Sequence, residues 1–118
     1  MSNRFPRSVY ARGSEPDPRF SLANERTFLA WVRTSLALLA AGVALEALQV
    51  PISPGFRLAS AIVFVLLGVL AAIQAWIGWA RTEQALRENR PLPAPSTGVA
   101  IVGGVIVGVV LLTLGFFW

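Results

Sequence analysis

Three long apolar stretches alternate with polar segments along the chain, at about residues 28–50, 58–79 and 99–118. An α-helix rises about 1.5 Å per residue, so each stretch is long enough to cross a hydrocarbon core of roughly 30 Å. The pattern therefore predicts an all-α membrane protein with three transmembrane helices per protomer. The first stretch begins too late and is too long for a cleaved signal peptide, so we expect it to stay in the mature protein.

The polar segments predict how the rest of the chain is organised. Residues 1–16 are rich in Arg and poor in large apolar side chains, which is typical of a flexible cytoplasmic tail. A three-span membrane domain then covers residues 17–118, and Asp17 with Pro18 suits the start of its first helix. Residues 80–97 are predicted to form a cytoplasmic extension of the second helix and a proline-rich loop. Within that extension, Glu83 and Arg87 are spaced as on a solvated helix.

Arginine is distributed unevenly between the two ends of the predicted spans. The connection between the first two spans carries one arginine, Arg57, whereas the segments before the first span and after the second carry eight. By the positive-inside rule, we expect the N-terminus to be cytoplasmic and the C-terminus to lie outside. The eight residues are Arg4, Arg7, Arg12, Arg19, Arg26, Arg81, Arg87 and Arg90.

Composition excludes several classes of chemistry. Of the 118 residues, 55% are hydrophobic and 14% are charged, and there is no Cys and no His. A soluble domain of this size has too little interior to bury that much apolar side chain. We expect no metal site and no cofactor, since thiolate and imidazole ligands are missing. We also expect no enzymatic activity, because no buried carboxylate pair and no nucleophile–base couple is visible. Nucleic acid is not an expected partner.

Small residues line one face of each predicted span, and in membranes such faces mark close helix packing. Positions 26, 30, 33, 37, 40 and 44 share one face of the first helix and read Arg, Ala, Arg, Ala, Ala, Ala. The third helix carries a G-x-x-x-G pattern. We expect tight contacts both within and between protomers. The predicted packing residues are Ala30, Ala37, Gly68, Ala75, Gly104 and Gly108.

Arg33 has the costliest predicted position, because its guanidinium stays charged inside an apolar stretch. Arg33 and Glu46 are 13 residues apart, or about 20 Å along a helix, so each lies near one membrane boundary. One interpretation is that Arg33 snorkels to the cytoplasmic surface. The other places it about 10 Å from Arg26, as part of a basic entry to a shared interior.

The other charges have simpler interpretations. Glu46 is a surface or inter-helix partner, with a proton site as the alternative. The cytoplasmic arginines set the topology and contact anionic lipid headgroups.

The string DPRFSLANERTFLAWVRT at residues 17–34 resembles the signature of the YidH-like family, which consists of small bacterial inner-membrane proteins with three spans and no assigned function. The string AAGVALE at residues 40–46 continues the similarity, and relatives can carry an acidic residue where Glu46 stands. The resemblance covers about residues 15–118. It implies a multi-pass protein of the bacterial inner membrane.

The core NERTFL at residues 24–29 is similar to one in the membrane domain of the eukaryotic vacuolar transporter chaperone complex, where several copies surround a path for polyphosphate. This resemblance implies a homo-oligomer, compatible with a pentamer, and a polyanion as a partner. It further implies that Arg26, Arg33 and Arg81 face a central anion path. The residues that would support or pair with them are Asn24, Glu25 and Glu46.

Two functions follow as hypotheses. The first is a self-assembling scaffold or accessory subunit in the lipid bilayer, with Arg26 and Arg33 at headgroups or paired with Glu25. The second is a homo-oligomer that conducts an anion, phosphate or polyphosphate, along an arginine-lined axis. A ring of guanidinium groups on a wet axis would favour the second hypothesis, and a dry apolar axis would favour the first.

Overall fold

The computed structural model describes residues 4–93 and 96–118, and this part of the chain forms four helices. They are α1 (Arg7–Tyr10), α2 (Pro18–Ala47), α3 (Pro54–Arg87) and α4 (Ser96–Phe117). The helices α2, α3 and α4 are long and apolar enough to cross a membrane. This confirms the predicted all-α class with three membrane-length helices. The molecule is elongated, with extents of 60 × 24 × 20 Å.

The helix ends follow from local sequence signals. The side chain of Asp17 accepts a hydrogen bond from the Arg19 backbone N–H at 2.9 Å, and Pro18 occupies the first turn of α2. The two residues therefore begin the helix as the sequence predicts. Pro54 begins α3 after Ser53, whose backbone N–H donates to the Gly115 carbonyl at 3.0 Å. That bond ties the connection between α2 and α3 to the end of α4.

The central helix is α3, which packs against both α2 and α4. Among the described residues, no Cα atom of α2 lies within 8 Å of one in α4. Side chains from all three helices nevertheless meet in one apolar cluster. Its buried members are Leu38, Phe64, Leu67, Ala71 and Ile101.

Glycines set the distances between the helices. A Cβ added at Gly68 would lie 2.6 Å from Leu39 Cγ of α2, and one at Gly108 would lie 2.7 Å from Phe64 Cζ of α3. A Cβ at Gly104 would clash with Leu67. The G-x-x-x-G of α4 therefore packs against α3 of the same protomer. Ala75 is also buried.

Residues 4–16 are folded, in contrast to the flexible tail that the sequence predicts over residues 1–16. Residues 4–16 pack on the end of α3, where Val9 is fully buried and the Tyr10 ring lies 6.1 Å from the Trp79 ring. The Ser14 N–H donates to the Arg87 carbonyl at 3.0 Å. Residues 1–3 and 94–95, which belong to the predicted tail and the predicted proline-rich loop, lie outside the described residues.

Gly13 makes this docking possible. It has φ of +54°, a left-handed conformation that glycine adopts at little cost. A Cβ at this position would clash with the Arg87 carbonyl. At Gly13 the segment therefore approaches α3 through its backbone.

Candidate functional site

The residues singled out by the sequence fall on two opposite faces of α2. The packed face consists of its buried residues Asn24, Ser35, Leu38 and Gly42. The arginine face consists of Arg26, Ala30, Arg33, Ala37 and Ala40, all of them exposed. Arg33 is nine residues from both Asn24 and Gly42, or about 2.5 turns, so the two faces point in opposite directions.

The arginine face has no partner within the protomer. Arg26 and Arg33 make no hydrogen bond or ion pair with any residue in the described ranges. They are seven residues apart, so their Cα atoms lie about 10 Å apart along the helix. Ala30 lies between them and Ala37 lies one turn beyond Arg33, so the side chains beside the two guanidinium groups on this face are methyl groups. Glu25 is exposed beside Arg26.

The packed face carries a buried polar cluster at the end of α2 nearest the N-terminus. The Asn24 amide donates to the Trp79 carbonyl at 3.1 Å and to the Glu83 carboxylate at 3.3 Å. The Ser21 hydroxyl donates to the other Glu83 oxygen at 2.8 Å. Glu83 is only 4% exposed. The cluster therefore joins α2 to α3 through hydrogen bonds from two neutral side chains of α2 to the buried carboxylate of α3.

Arg87 joins the N-terminal segment to the same end of α3. Its guanidinium donates to the carbonyls of Tyr10 and Arg12 at 2.9 and 2.8 Å and to the Glu15 carboxylate at 3.0 Å. This bond to Arg87 is the largest cause that lowers the pKa of Glu15 below its ordinary value. The Arg4 guanidinium also pairs with Glu15 and lies over the Tyr10 ring.

The prediction that Glu83 and Arg87 lie on a solvated part of the helix is wrong. Both side chains are buried, and they bind different partners. The helical spacing of the two residues is correct, but α2 covers Glu83 and the N-terminal segment covers Arg87. Local spacing along one helix carries no information about the segments that cover it.

Arg81 lies away from the arginine face of α2. It is on α3, and it lines a cavity with residues of the segment that follows that helix. Gln74, seven residues earlier and on the same side of α3, accepts a hydrogen bond from the Thr97 hydroxyl of α4 at 2.8 Å. Arg81 is therefore on the α4 side of α3. Within one protomer, the fold brings Arg26 and Arg33 to one face but does not bring Arg81 to them.

Glu46 pairs across the connection at the other end of the molecule. Its carboxylate accepts from Arg57 Nε at 3.2 Å, and Arg57 also donates to the Val50 carbonyl at 3.1 Å. The pair joins the end of α2 to the start of α3. Of the two interpretations of Glu46, this geometry corresponds to the inter-helix partner.

Three residues of the site region were missed at the sequence level. Ser35 donates to the Gly68 carbonyl at 2.7 Å, Ser21 binds Glu83, and Trp79 offers its carbonyl to Asn24. One signal was available for Ser35, since it shares the helix face of Asn24 and Gly42. The contacts of Ser21 and Trp79 carry no local signal, because their partners lie 62 and 55 residues away.

Sequence comparisons place the chain in a family. The model for the domain of unknown function DUF202 matches residues 19–85. An uncharacterized protein of Mycobacterium tuberculosis is 47% identical over 102 residues, which cover 85% of this chain and 84% of that protein. The inner membrane protein YidH of Escherichia coli is 39% identical over 104 residues, which cover 87% and 90%. No solved structure matches the chain significantly. With three membrane-length helices and this similarity over most of its length, the chain belongs to the DUF202 family and is a YidH-like, multi-pass protein of the inner membrane.

Proposed function

We propose that this chain is a non-enzymatic membrane protein that assembles with itself along the arginine face of α2, and that the assembly acts as a scaffold or accessory subunit. One observation carries the proposal: the whole arginine face is exposed opposite α3, with Arg26 and Arg33 unpaired among the described residues. A guanidinium facing lipid is costly, whereas one inside an assembly can meet protein or water. The alanines beside the arginines let a second helix approach closely.

Two further features support α2 as the surface of assembly. Gly104 and Gly108 of α4 already pack against α3, so this G-x-x-x-G pair is not available to a neighbouring protomer. Glu25 is exposed next to Arg26 and can pair with an arginine of a second copy. Such a pair would neutralise one charge of the face at the membrane boundary, where an ion pair is least costly to form.

Engineered cysteines provide the test, because the native chain has none. Ala30→Cys and Ala37→Cys each place a thiol on the arginine face, and Val109→Cys places one on the exposed side of α4. Oxidative crosslinking in native membranes is expected to produce a covalent dimer at residues 30 and 37 but not at 109. Absence of dimer at both α2 positions, or equal dimer at Val109, would contradict assembly through this face.

We further propose that the end with the N-terminal segment faces the cytoplasm. Most arginines outside the spans are at that end, whereas Arg57 lies at the other. Single cysteines at Ser53 and Asn89 sample the two ends. In intact spheroplasts, a membrane-impermeant maleimide is expected to label Ser53→Cys and to spare Asn89→Cys until the cells are lysed. The reverse labelling would invert the topology.

An anion-conducting assembly is the second candidate function. Its support is that the two unpaired guanidinium groups lie on one face, about 10 Å apart along the helix, as successive rings around an axis would require. Reconstituted protein is expected to carry phosphate or polyphosphate flux that Arg33→Ala abolishes while the oligomer size stays unchanged. Arg7→Ala, in the N-terminal segment, is the matched control. Equal flux in wild type and Arg33→Ala would reject conduction and leave the scaffold.

A further inference from the structure

A second basic site lies at the end of α3, apart from the arginine face of α2. A cavity of about 360 Å³ separates the last turns of α3 from the segment that follows them. Two arginines and one glutamine line it, and no carboxylate does. The lining residues are Arg81, Gln84, Ala85, Arg90, Pro91 and Pro93.

The cavity is built by one reversal of the chain. Arg81, Gln84 and Ala85 are three and four residues apart, so they share one face of α3. Asn89 then adopts φ of +52°, a left-handed conformation that Asn tolerates better than most residues. This turn lets the Arg90 backbone N–H donate to the Ala85 carbonyl at 2.9 Å. Arg90 is thereby returned to the level of Ala85, one turn from Arg81.

The polar groups of the cavity have hydrogen-bond donors to spare. Arg81 makes no hydrogen bond or ion pair within the described ranges. Arg90 engages Glu88 through Nε at 3.3 Å, which leaves the N–H groups of both terminal nitrogens. Gln84 donates to the Ser8 carbonyl at 3.3 Å through an amide nitrogen that carries a second N–H. The two arginines offer donors only, and the amide of Gln84 retains one N–H.

We propose that this cavity binds a phosphate group. A guanidinium presents a planar pair of N–H donors that matches two phosphate oxygens, and the charge of Arg81 is not compensated by any carboxylate of the described residues. The phosphate can belong to a phospholipid headgroup or be free in solution, and both present the same oxygens to the site. The site does not rest on the proposed assembly, since Arg81 lies on the α4 side of α3.

The test measures binding to purified full-length protein that has been delipidated in detergent. Inorganic phosphate and pyrophosphate probe the free source, and the probe for the lipid source is a nanodisc of phosphatidylcholine with or without phosphatidylglycerol. The variants are Arg81→Gln, Arg90→Gln and the double substitution. Arg7→Gln, which removes an exposed arginine of the N-terminal segment, is the matched control.

Thermal stabilisation by each probe and native mass spectrometry of retained lipid are the two measurements. Each single variant is expected to weaken binding about tenfold, since a charge-assisted pair is lost, and the double variant is expected to abolish it. If the double variant loses the stabilisation by pyrophosphate, the ligand is a free phosphate. If it loses the retained lipid, the ligand is a lipid headgroup. Wild-type binding in the double variant overturns the site, as does an equal loss in Arg7→Gln.

The turn at Asn89 gives a second test that removes no donor. Asn89→Gly keeps the left-handed conformation and is expected to bind like the wild type. Asn89→Val disfavours positive φ, so Arg90 leaves Ala85 and binding is expected to fall by about the same factor as in Arg90→Gln. Equal binding in the glycine and valine variants would overturn a site built by this turn.

Discussion

The two faces of α2 share small residues but differ in how their polar groups are satisfied. On the packed face, Asn24 and Ser35 have short side chains that bond to α3. On the arginine face, Arg26 and Arg33 have long charged side chains with no partner among the described residues of the protomer. Small residues on a membrane helix therefore indicate that another helix can approach closely. The polar residues beside them indicate which helix: short neutral side chains fit a contact within the protomer, and long charged ones fit a contact with another molecule.

The hydrogen bond from Ser35 to Gly68 explains why the packed face tolerates a polar residue. Gly68 has no side chain, so α2 approaches until the Ser35 hydroxyl reaches a backbone carbonyl at 2.7 Å. The carbonyl already belongs to the α3 helix and accepts this bond with its second lone pair. No charge is buried by this contact. An arginine at position 35 would lose its hydration, and its long side chain would clash with α3.

The largest expected effect on stability comes from adding a bulky side chain to the packed face of α2. Gly42→Leu adds a side chain where a Cβ alone would lie 2.7 Å from Val65 Cγ2 and 2.8 Å from the Ala61 carbonyl. We expect the free energy of unfolding to fall by about 3 kcal/mol, because backbone of α3 must move. The measurement is reversible unfolding in mixed micelles, followed by tryptophan fluorescence.

The matched substitution Ala37→Leu adds bulk to the arginine face. The protomer is expected to unfold within about 0.5 kcal/mol of the wild type, because Ala37 is exposed. By the proposed assembly, the same variant should reduce the oligomer. Equal destabilisation by Gly42→Leu and Ala37→Leu would remove the distinction between the faces.

Removal of the Asn24 amide is expected to have the next largest effect. Asn24→Ala leaves the buried Glu83 carboxylate with the Ser21 hydroxyl as its remaining donor within the described part of the chain. Hydrogen bonds to charged groups contribute about 1.5–3 kcal/mol, so we expect a loss near 2 kcal/mol in unfolding free energy. Thr34→Ala, at an exposed position of the same helix, is the control. A loss below about 0.5 kcal/mol for Asn24→Ala would mean that water replaces the amide.

A smaller effect is expected at Ser35. Ser35→Ala removes one neutral hydrogen bond and leaves the Gly68 carbonyl its helical partner, so the expected loss is about 1 kcal/mol. Thr34→Ala changes an exposed hydroxyl of the same helix and should be neutral. The free energy of unfolding of both variants is measured in the same micelles. An unchanged value for Ser35→Ala would show that apolar packing alone stabilises the contact between this face and α3.

The smallest effect concerns the N-terminal segment, which covers the packed end of α3. The Arg87 bond holds the pKa of Glu15 below its ordinary value of 4.5, so the carboxylate contributes stability above that pH. This contribution is lost as the pH falls through the lowered pKa of the folded state. Since Glu15 is exposed, the expected result is partial undocking in acid, seen as a change in Trp79 fluorescence when Tyr10 moves away. Glu15→Gln should remove the pH dependence, and its persistence in that variant would assign the titration to another group.

The sequence predicted some parts of the candidate site correctly and others not at all. The face shared by Arg26, Ala30, Arg33 and Ala37 follows from the helical repeat, and these residues do lie together on α2. The grouping of Arg81 with them came from a resemblance, and the fold of one protomer separates them. The polar cluster at Glu83 was not predictable, because its donors come from a helix about 60 residues earlier in the chain.

The sequence by itself determined the three membrane-length helices, the start of α2 at Asp17–Pro18 and the family. Runs of apolar residues suffice for the first, because only a helix satisfies its own backbone inside hydrocarbon. The tertiary structure alone decided which small-residue face of α2 meets α3, that residues 4–16 dock on α3, and that Glu83 and Arg87 are buried with separate partners. The physical reason is that periodicity identifies the residues that share a face, whereas packing between segments far apart in the chain selects what covers that face.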